Sequence, residues 1–340
     1  MSSKRPDTIL PGHGAGGKLS RDLITTLVLK HFHSKALAPL SDSGIVCPKK
    51  GPLAYTTDSF VIKPVFFPGG DIGKLAICGT INDLAVSGAI PFALTFACIV
   101  EEGFLVSDLD RILASAAVEA NTAGAMIVAG DFKVVEKGEA DGIFINTSGI
   151  GVIHPKAKLG YRFISPGDAI IVTGPLGDHS AAITLARQNF SIRAKITSDC
   201  ACLSPLLLPA IERFGPSIRC MRDLTRGGLG TALCEIAGSA NTSFHIDERA
   251  IPVKKSVRSL CEMLGYDPLY LANEGKAVIF CDPDRANDLV AFLKRSPLGT
   301  RAAKIGKVTA KKKGRVVLFT QSGGKRLVEM LSGGQLPRIC

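Results

Sequence analysis

Four aspartates carry the first chemical signal in the chain. Asp58 lies mid-strand in TTDSF, Asp83 follows Asn82 inside an apolar helical run, Asp131 closes the strand MIVAGD, and Asp223 sits in MRDLTRGG. A carboxylate in an apolar strand or helix is costly to bury unless it is paired or binds a cation. Taken singly, each reads as a cap or an ion pair. Taken together, beside Thr, Asn, Gly and Arg, they read as oxygen ligands gathered around Mg²⁺ and a polyphosphate.

Glycine turns supply the second signal. Residues 12–18, GHGAGGK, contain His13, Gly14, Gly16, Gly17 and Lys18 and come close to a phosphate-binding loop. Leu19 stands where Ser or Thr is required and no strand precedes the loop, so a true P-loop is excluded. A lid of backbone N–H groups closing over phosphates is the remaining functional reading. The turns FFPGGD and Thr225-Arg226-Gly227-Gly228 lead into further helices, whose N-termini favour anions.

Several single residues complete the set. Lys133 lies two positions after Asp131 and therefore on the same face of an extended strand. Glu274 stands just before a strand beside Asn273, and His179 follows Gly177-Asp178 at a helix start. Cys340 is the last residue, behind a Gly-Gly-hinged segment that reads as mobile. A thiol there is a nucleophile with reach.

These groups need elements to hold them. Leu53–Lys63, Phe92–Val100, Met126–Val135 and Ile143–Ile153 read as strands. Lys74–Ala89 places Ile77, Ile81, Leu84, Ala85 and Gly88 on one helical face, and Ser107 reads as the cap of a following helix. In the second half, Ala169–Thr173, Ala277–Cys281 and Val316–Thr320 read as strands, and His179–Arg187 and Leu203–Arg213 as helices. The expected fold is therefore α/β in two halves, each a mixed sheet with packed helices: residues 1–155, residues 165–330, and a tail over 331–340. Arg301–Arg315 reads as a basic hairpin with its turn at Lys312-Lys313-Gly314.

Composition narrows the class. The chain has 340 residues, is 46% hydrophobic and 21% charged, and so is globular rather than disordered. Its net charge is +11, and most of that lies after Ile251, where 17 Lys and Arg face seven Asp and Glu. With no Trp and four Tyr, stacking platforms for nucleic acid are not expected. No apolar run is long enough to span a bilayer. The ten cysteines show no CxxC pair and read as free thiols of a reducing, cytoplasmic setting.

The runs TTDSFVIKPVFFPGGDIGKLAICGTINDLAVSGA (56–89), AGDFKVVEKG, GPLGDHSAAI, MRDLTRGGLG, NEG and the terminal PRIC resemble the HypE family of hydrogenase maturation proteins. The likeness covers essentially the whole chain. The aspartates and RDLTRGG are shared with the wider PurM-type, ATP-using superfamily. The resemblance implies a two-domain PurM-like fold and a homodimer with ATP and Mg²⁺ near its interface. It implies an ATP-dependent carbamoyl dehydratase that makes the cyanide ligands of [NiFe] hydrogenase iron. A HypF-type partner would load a carboxamide onto Cys340. Dehydration would yield a thiocyanate, and the cyano group would pass to a HypC–HypD complex.

On that reading Asp58, Asp83, Asp131 and, in SDSG, Asp42 hold the metal. Glu274 is the base and Lys133 places the carboxamide or the transferring phosphate. His13, Gly14, Gly16, Gly17, Lys18, Asn82, His179, Asp223, Arg226 and Gly227 contact the nucleotide. Phe132, Leu224 and Ser180 stand where the family has Thr, Pro and Gly. The alternative is another superfamily enzyme, a selenophosphate synthetase or small-molecule kinase, which needs no terminal thiol.

Overall fold

The computed structural model describes residues 7–15, 17–41, 43–47, 50–187, 195–309 and 314–331. The first half begins with α1 (Lys18–Leu23), a π-helical stretch Ile24–Val28 and the single turn α2 (Leu29–His31). A four-stranded sheet follows, in the order β1 (Leu53–Phe60), β6 (Ile143–Ile153), β4 (Ala89–Glu101), β5 (Met126–Val135). The β4–β5 pair is parallel and the others antiparallel. A ribbon of β2 (Phe66–Phe67) and β3 (Gly70–Asp71) leads into α3 (Ile72–Val86).

α3 and α4 (Val106–Thr122) cover one face of the sheet; α4 is the crossover that a parallel β4–β5 pair requires. α3 is buried nearly all round rather than on a single face, because the sheet, α4 and the second half each claim a side. Its N-terminus is held by Asp71, whose Oδ1 accepts from Gly73 N (2.8 Å) and Lys74 N (3.0 Å). The expected Ser107 cap is not used: α4 starts two residues earlier, at Val106 behind Leu105, without a side-chain cap.

The second half is a seven-stranded sheet in the order β13 (Lys325–Val328), β12 (Val316–Phe319), β9 (Phe244–Asp247), β11 (Ala303–Val308), β7 (Ala169–Val172), β10 (Ala277–Cys281), β8 (Ile218–Asp223). Ile170 and Val172 enter the core that includes α7 (Gly228–Ala240), while Ala169 and Ile171 enter the core under α6 (Ser204–Phe214) and α9 (Ala286–Leu293). Both faces are covered, which is why AIIV and AVIFC are unbroken apolar runs rather than alternating ones. α5 (Asp178–Arg187) and α8 (Lys255–Leu264) pack on each other at the border of the halves.

The basic hairpin does not form. β11 and β12 are not neighbours: β9 inserts between them, antiparallel to β11 and parallel to β12. The turn residues Lys312 and Lys313 fall outside the described set.

Candidate active site

α3 and β1 from the first half and β8 from the second meet along a cleft of about 450 Å³, a volume usual for small-molecule sites. Asp58, Asp83, Asp223, Arg226 and Glu274 line it together with Thr56 and Arg222. Asp58 and Thr56 point inward because β1 alternates, and their outward neighbours are Tyr55, Thr57 and Ser59. Asp83 is presented from α3 and accepts from Thr56 Oγ1 at 2.7 Å.

The cleft gathers negative charge at its base. Burial, together with Asp83 beside it, raises Asp58 to about 6. Burial and the nearby Asp83 and Asp58 also raise Asp223 to about 6. Glu274 is pushed well above the ordinary carboxylate range, chiefly by burial, then by Asp199, Asp223 and Asp58. Asp58, Asp83 and Asp223, hard-oxygen groups in mutual repulsion beside the Arg226 guanidinium, fit a divalent cation carrying a polyphosphate.

The wall behind Glu274 is tightly bonded. Glu274 N donates to Asp199 Oδ1 (3.1 Å), and Lys276 Nζ lies 3.1 Å from Asp199 Oδ2. Asn82 Nδ2 donates to Ala201 O (3.1 Å) and Glu274 O (3.3 Å), and its Oδ1 accepts from Leu203 N (2.7 Å). Asn82 is therefore occupied by backbone and does not line the cleft, contrary to its expected nucleotide contact. Asp199 and Lys276 were missed. The two-residue spacing of Glu274 and Lys276 offered a hint, but nothing in TSDC did.

His179 is also displaced from its expected role. It is fully buried at the start of α5, its Nδ1 is 2.8 Å from Ser198 Oγ, and its ring meets Phe67 edge-on at 5.6 Å. Burial lowers it to about 4, so the ring is neutral and serves as packing. Gly227 sits at the N-terminal cap of α7 with φ +76, a conformation that suits glycine, beside cleft-lining Thr225 and Arg226.

Asp131 and Lys133 do not join the cluster within one chain. Asp131 continues β5 rather than ending it, and the two side chains pair with each other at 2.9 Å while remaining exposed. Across the sheet Asp131 aligns with Ala97, Asn146 and then Ser59, the outward row, whereas Asp58 faces inward. It is also three strands away, about 14 Å.

The glycine loop lies on that same edge. Pro11–His13 form a 3-10 turn, His13 Nδ1 accepts from Leu10 N (2.9 Å), and a Cβ on Gly14 would stand 2.6 Å from Val134 N. Gly17 and Lys18 line a separate groove with Val128, Ala129 and Gly130. Gly16, Asp42 and Cys340 lie outside the described residues.

Comparison with known proteins decides the family. Residues 40–153 match the AIR synthase related protein N-terminal domain and residues 165–319 its C-terminal domain. The carbamoyl dehydratase HypE of Rhodobacter capsulatus is 47% identical over 339 residues, covering 99% of both chains. The chain belongs to the HypE family. A crystal structure of the hydrogenase maturation protein HypE in complex with ATP superposes with a TM-score of 0.94 at 44% identity, covering 98% of this chain and 100% of that one. A HypE–HypF complex gives a TM-score of 0.80 at 42% identity over 93% of this chain and 100% of that one.

The departures from the family pattern are accommodated locally. Leu224 is fully buried and its N–H donates to Lys276 O (3.0 Å), a bond that Pro would lose. Ser180 Oγ donates to Ala272 O (3.2 Å). Phe132 packs against the core of the first half. Among the described residues no helix is long and apolar enough to cross a membrane.

Proposed function

We propose that this chain is an ATP-dependent carbamoyl dehydratase acting on a carboxamide carried by its own Cys340, in hydrogenase maturation. The convergence of Asp58, Asp83, Asp223, Glu274 and Arg226 in one cleft is the observation that carries the reading. It rests also on family membership and on the ATP and HypF complexes of HypE relatives.

An amide oxygen is a poor leaving group. Phosphorylation of that oxygen by ATP makes it a good one, and departure of the phosphate with two protons lost from nitrogen leaves the thiocyanate. Asp58, Asp83 and Asp223 would hold Mg²⁺, which neutralises phosphate charge. Arg226 and the glycine-rich entrance to α7 bind phosphate oxygens. Burial and the neighbouring carboxylates hold Glu274 well above the ordinary carboxylate range. It becomes a base for the amide nitrogen once the charge on its carboxylate neighbours is offset.

The tail can reach. Tyr270 OH donates to Glu329 O at 2.8 Å, and Tyr270 is four residues from Glu274, at most about 14 Å of chain. Nine residues from Leu331 to Cys340 span up to about 30 Å.

Asp131 and Lys133 need another route to the chemistry. The outer face of the β1–β6–β4–β5 sheet is covered only in part, where Ala36 and Val46 pack on Phe92, Ala93 and Val128, and it includes Tyr55, 68% exposed, and Ile99, 42% exposed. We propose that a second copy covers this face, so that the Asp131–Lys133 edge of one copy serves the site of the other. Sedimentation should give the dimer mass; a single-chain mass throughout the micromolar range would reject it. HypF-type loading of Cys340 and delivery to a HypC–HypD complex complete the proposed sequence.

The site reading has a pH signature. Asp58 and Asp223 have raised values in the folded chain, so without ligand their contribution to stability is fully present below pH 4 and is lost as pH rises through about 6. Ligand binding needs the charged forms. The melting temperature without ligand should therefore rise on acidification from pH 7 to 5, while the shift produced by Mg²⁺–ATP shrinks. A ligand-induced shift independent of pH across that window would place the cation elsewhere.

A further inference from the structure

Behind the back wall of the cleft, sulfur and oxygen donors from three elements converge. Cys78 Sγ of α3 lies 3.5 Å from Cys202 Sγ, in the loop before α6, and 3.6 Å from Glu119 Oε2 of α4. One donor atom from each of these residues lies within 4.8 Å of the other two. The Cys200 thiol sits beside Cys78 as well. Lys74 Nζ is 3.3 Å from Glu119 Oε1, so the carboxylate is steadied on its other oxygen.

The two Cys78 spacings suit a tetrahedral ion. Metal–sulfur bonds of about 2.3 Å and a metal–oxygen bond of about 2.0 Å put neighbouring donors about 3.5–3.8 Å apart. The contacts of Cys78 fall at or beside that range without any backbone shift. The donor set is soft, unlike the all-oxygen cluster of the cleft, and so selects zinc rather than magnesium. Charge also closes: two thiolates and a carboxylate around a divalent ion leave one negative charge, which the Lys74 ammonium offsets. Thiols are weak donors, so the contacts of Cys78 and Cys202 with each other and with Glu119 gain little as hydrogen bonds.

We propose that Cys78, Cys202 and Glu119 form a zinc site that ties the 200–203 loop to α3 and α4. Binding releases the thiol protons to solvent as the metal–sulfur bonds form. The same loop is gripped one helical turn further along by Asn82, and Asp199 beside it holds the Glu274 backbone. The ion therefore stiffens the wall that positions Glu274, without touching substrate.

The test is metal content of the full chain, purified under reducing conditions without chelator and titrated with zinc salt. One zinc per chain is expected to survive desalting, and to be lost in Cys78→Ser and Cys202→Ser. Cys234→Ser, distant in the second half, should keep it. Glu119→Gln retains every thiol and guards against misfolding of the cysteine variants; its zinc affinity should fall at least about tenfold. Cobalt substitution should give a thiolate-to-metal charge-transfer band, absent in Cys202→Ser. Zinc that fails to bind stoichiometrically, zinc retained in the cysteine variants, cobalt without the band, or a Cys78–Cys202 disulfide in the fresh protein would each overturn the site.

Discussion

Cys340→Ala should bind nucleotide as the parent chain does and form no thiocyanate. The carboxamide has to be carried by a nucleophilic sulfur, and alanine offers none, so the loss is complete rather than partial. Among the other nine cysteines only Cys47 is exposed; the rest are buried or half-buried, with Cys98, Cys220 and Cys281 raised to about 12 by burial. A thiol held that high is a poor nucleophile at neutral pH. Cys47→Ala should therefore react normally. Melting temperature should not change in either variant, since the core of the second half already closes around Val328 and Leu331. Turnover by Cys340→Ala with a HypF-type partner and ATP would move the carrier elsewhere.

Asp83→Asn should separate function from stability with opposite signs. Asp83 lies at the centre of the repulsion: it raises both Asp58 and Asp223. Removing its charge lets those neighbours ionise more easily, so the ligand-free protein should melt at the same temperature or higher. The amide keeps the shape, and its oxygen can still accept from Thr56. Cation binding loses one of its charges, and kcat/KM should fall at least about 100-fold, or about 2.7 kcal/mol of transition-state stabilisation. A site held in strain for function behaves this way. A lower melting temperature with unchanged ATP affinity would return Asp83 to a structural role.

Much of this was legible from local pattern. β5 and β6 match the strands read over Met126–Val135 and Ile143–Ile153, and β1, α3 and α5 fall within a few residues of expectation. The cleft aspartates on β1, α3 and β8 were identified by a physical rule, the cost of an unpaired buried carboxylate. What failed depended on register and on distant partners. The alternation of β5 shows that Asp131 and Lys133 share a face, but only pairing through β4 and β6 shows that this face is turned away from Asp58. The hairpin of β11 and β12 was broken by β9, more than 50 residues earlier. His179 and Asn82 were read as ligands by motif, and burial made them a packed ring and a backbone clamp. The Cys78–Cys202 approach, across 124 residues, leaves no trace in spacing along the chain.

The most direct test is the mass of the C-terminal peptide of the intact protein. The chain would be incubated with a HypF-type partner and carbamoyl phosphate, and Mg²⁺–ATP then added. The expected result is a carboxamide adduct on Cys340 that loses one water only when ATP is present, with phosphate released in equal amount. An unmodified Cys340 beside an active partner, with ATP consumed, would contradict the terminal-thiol mechanism and point to a kinase-like relative.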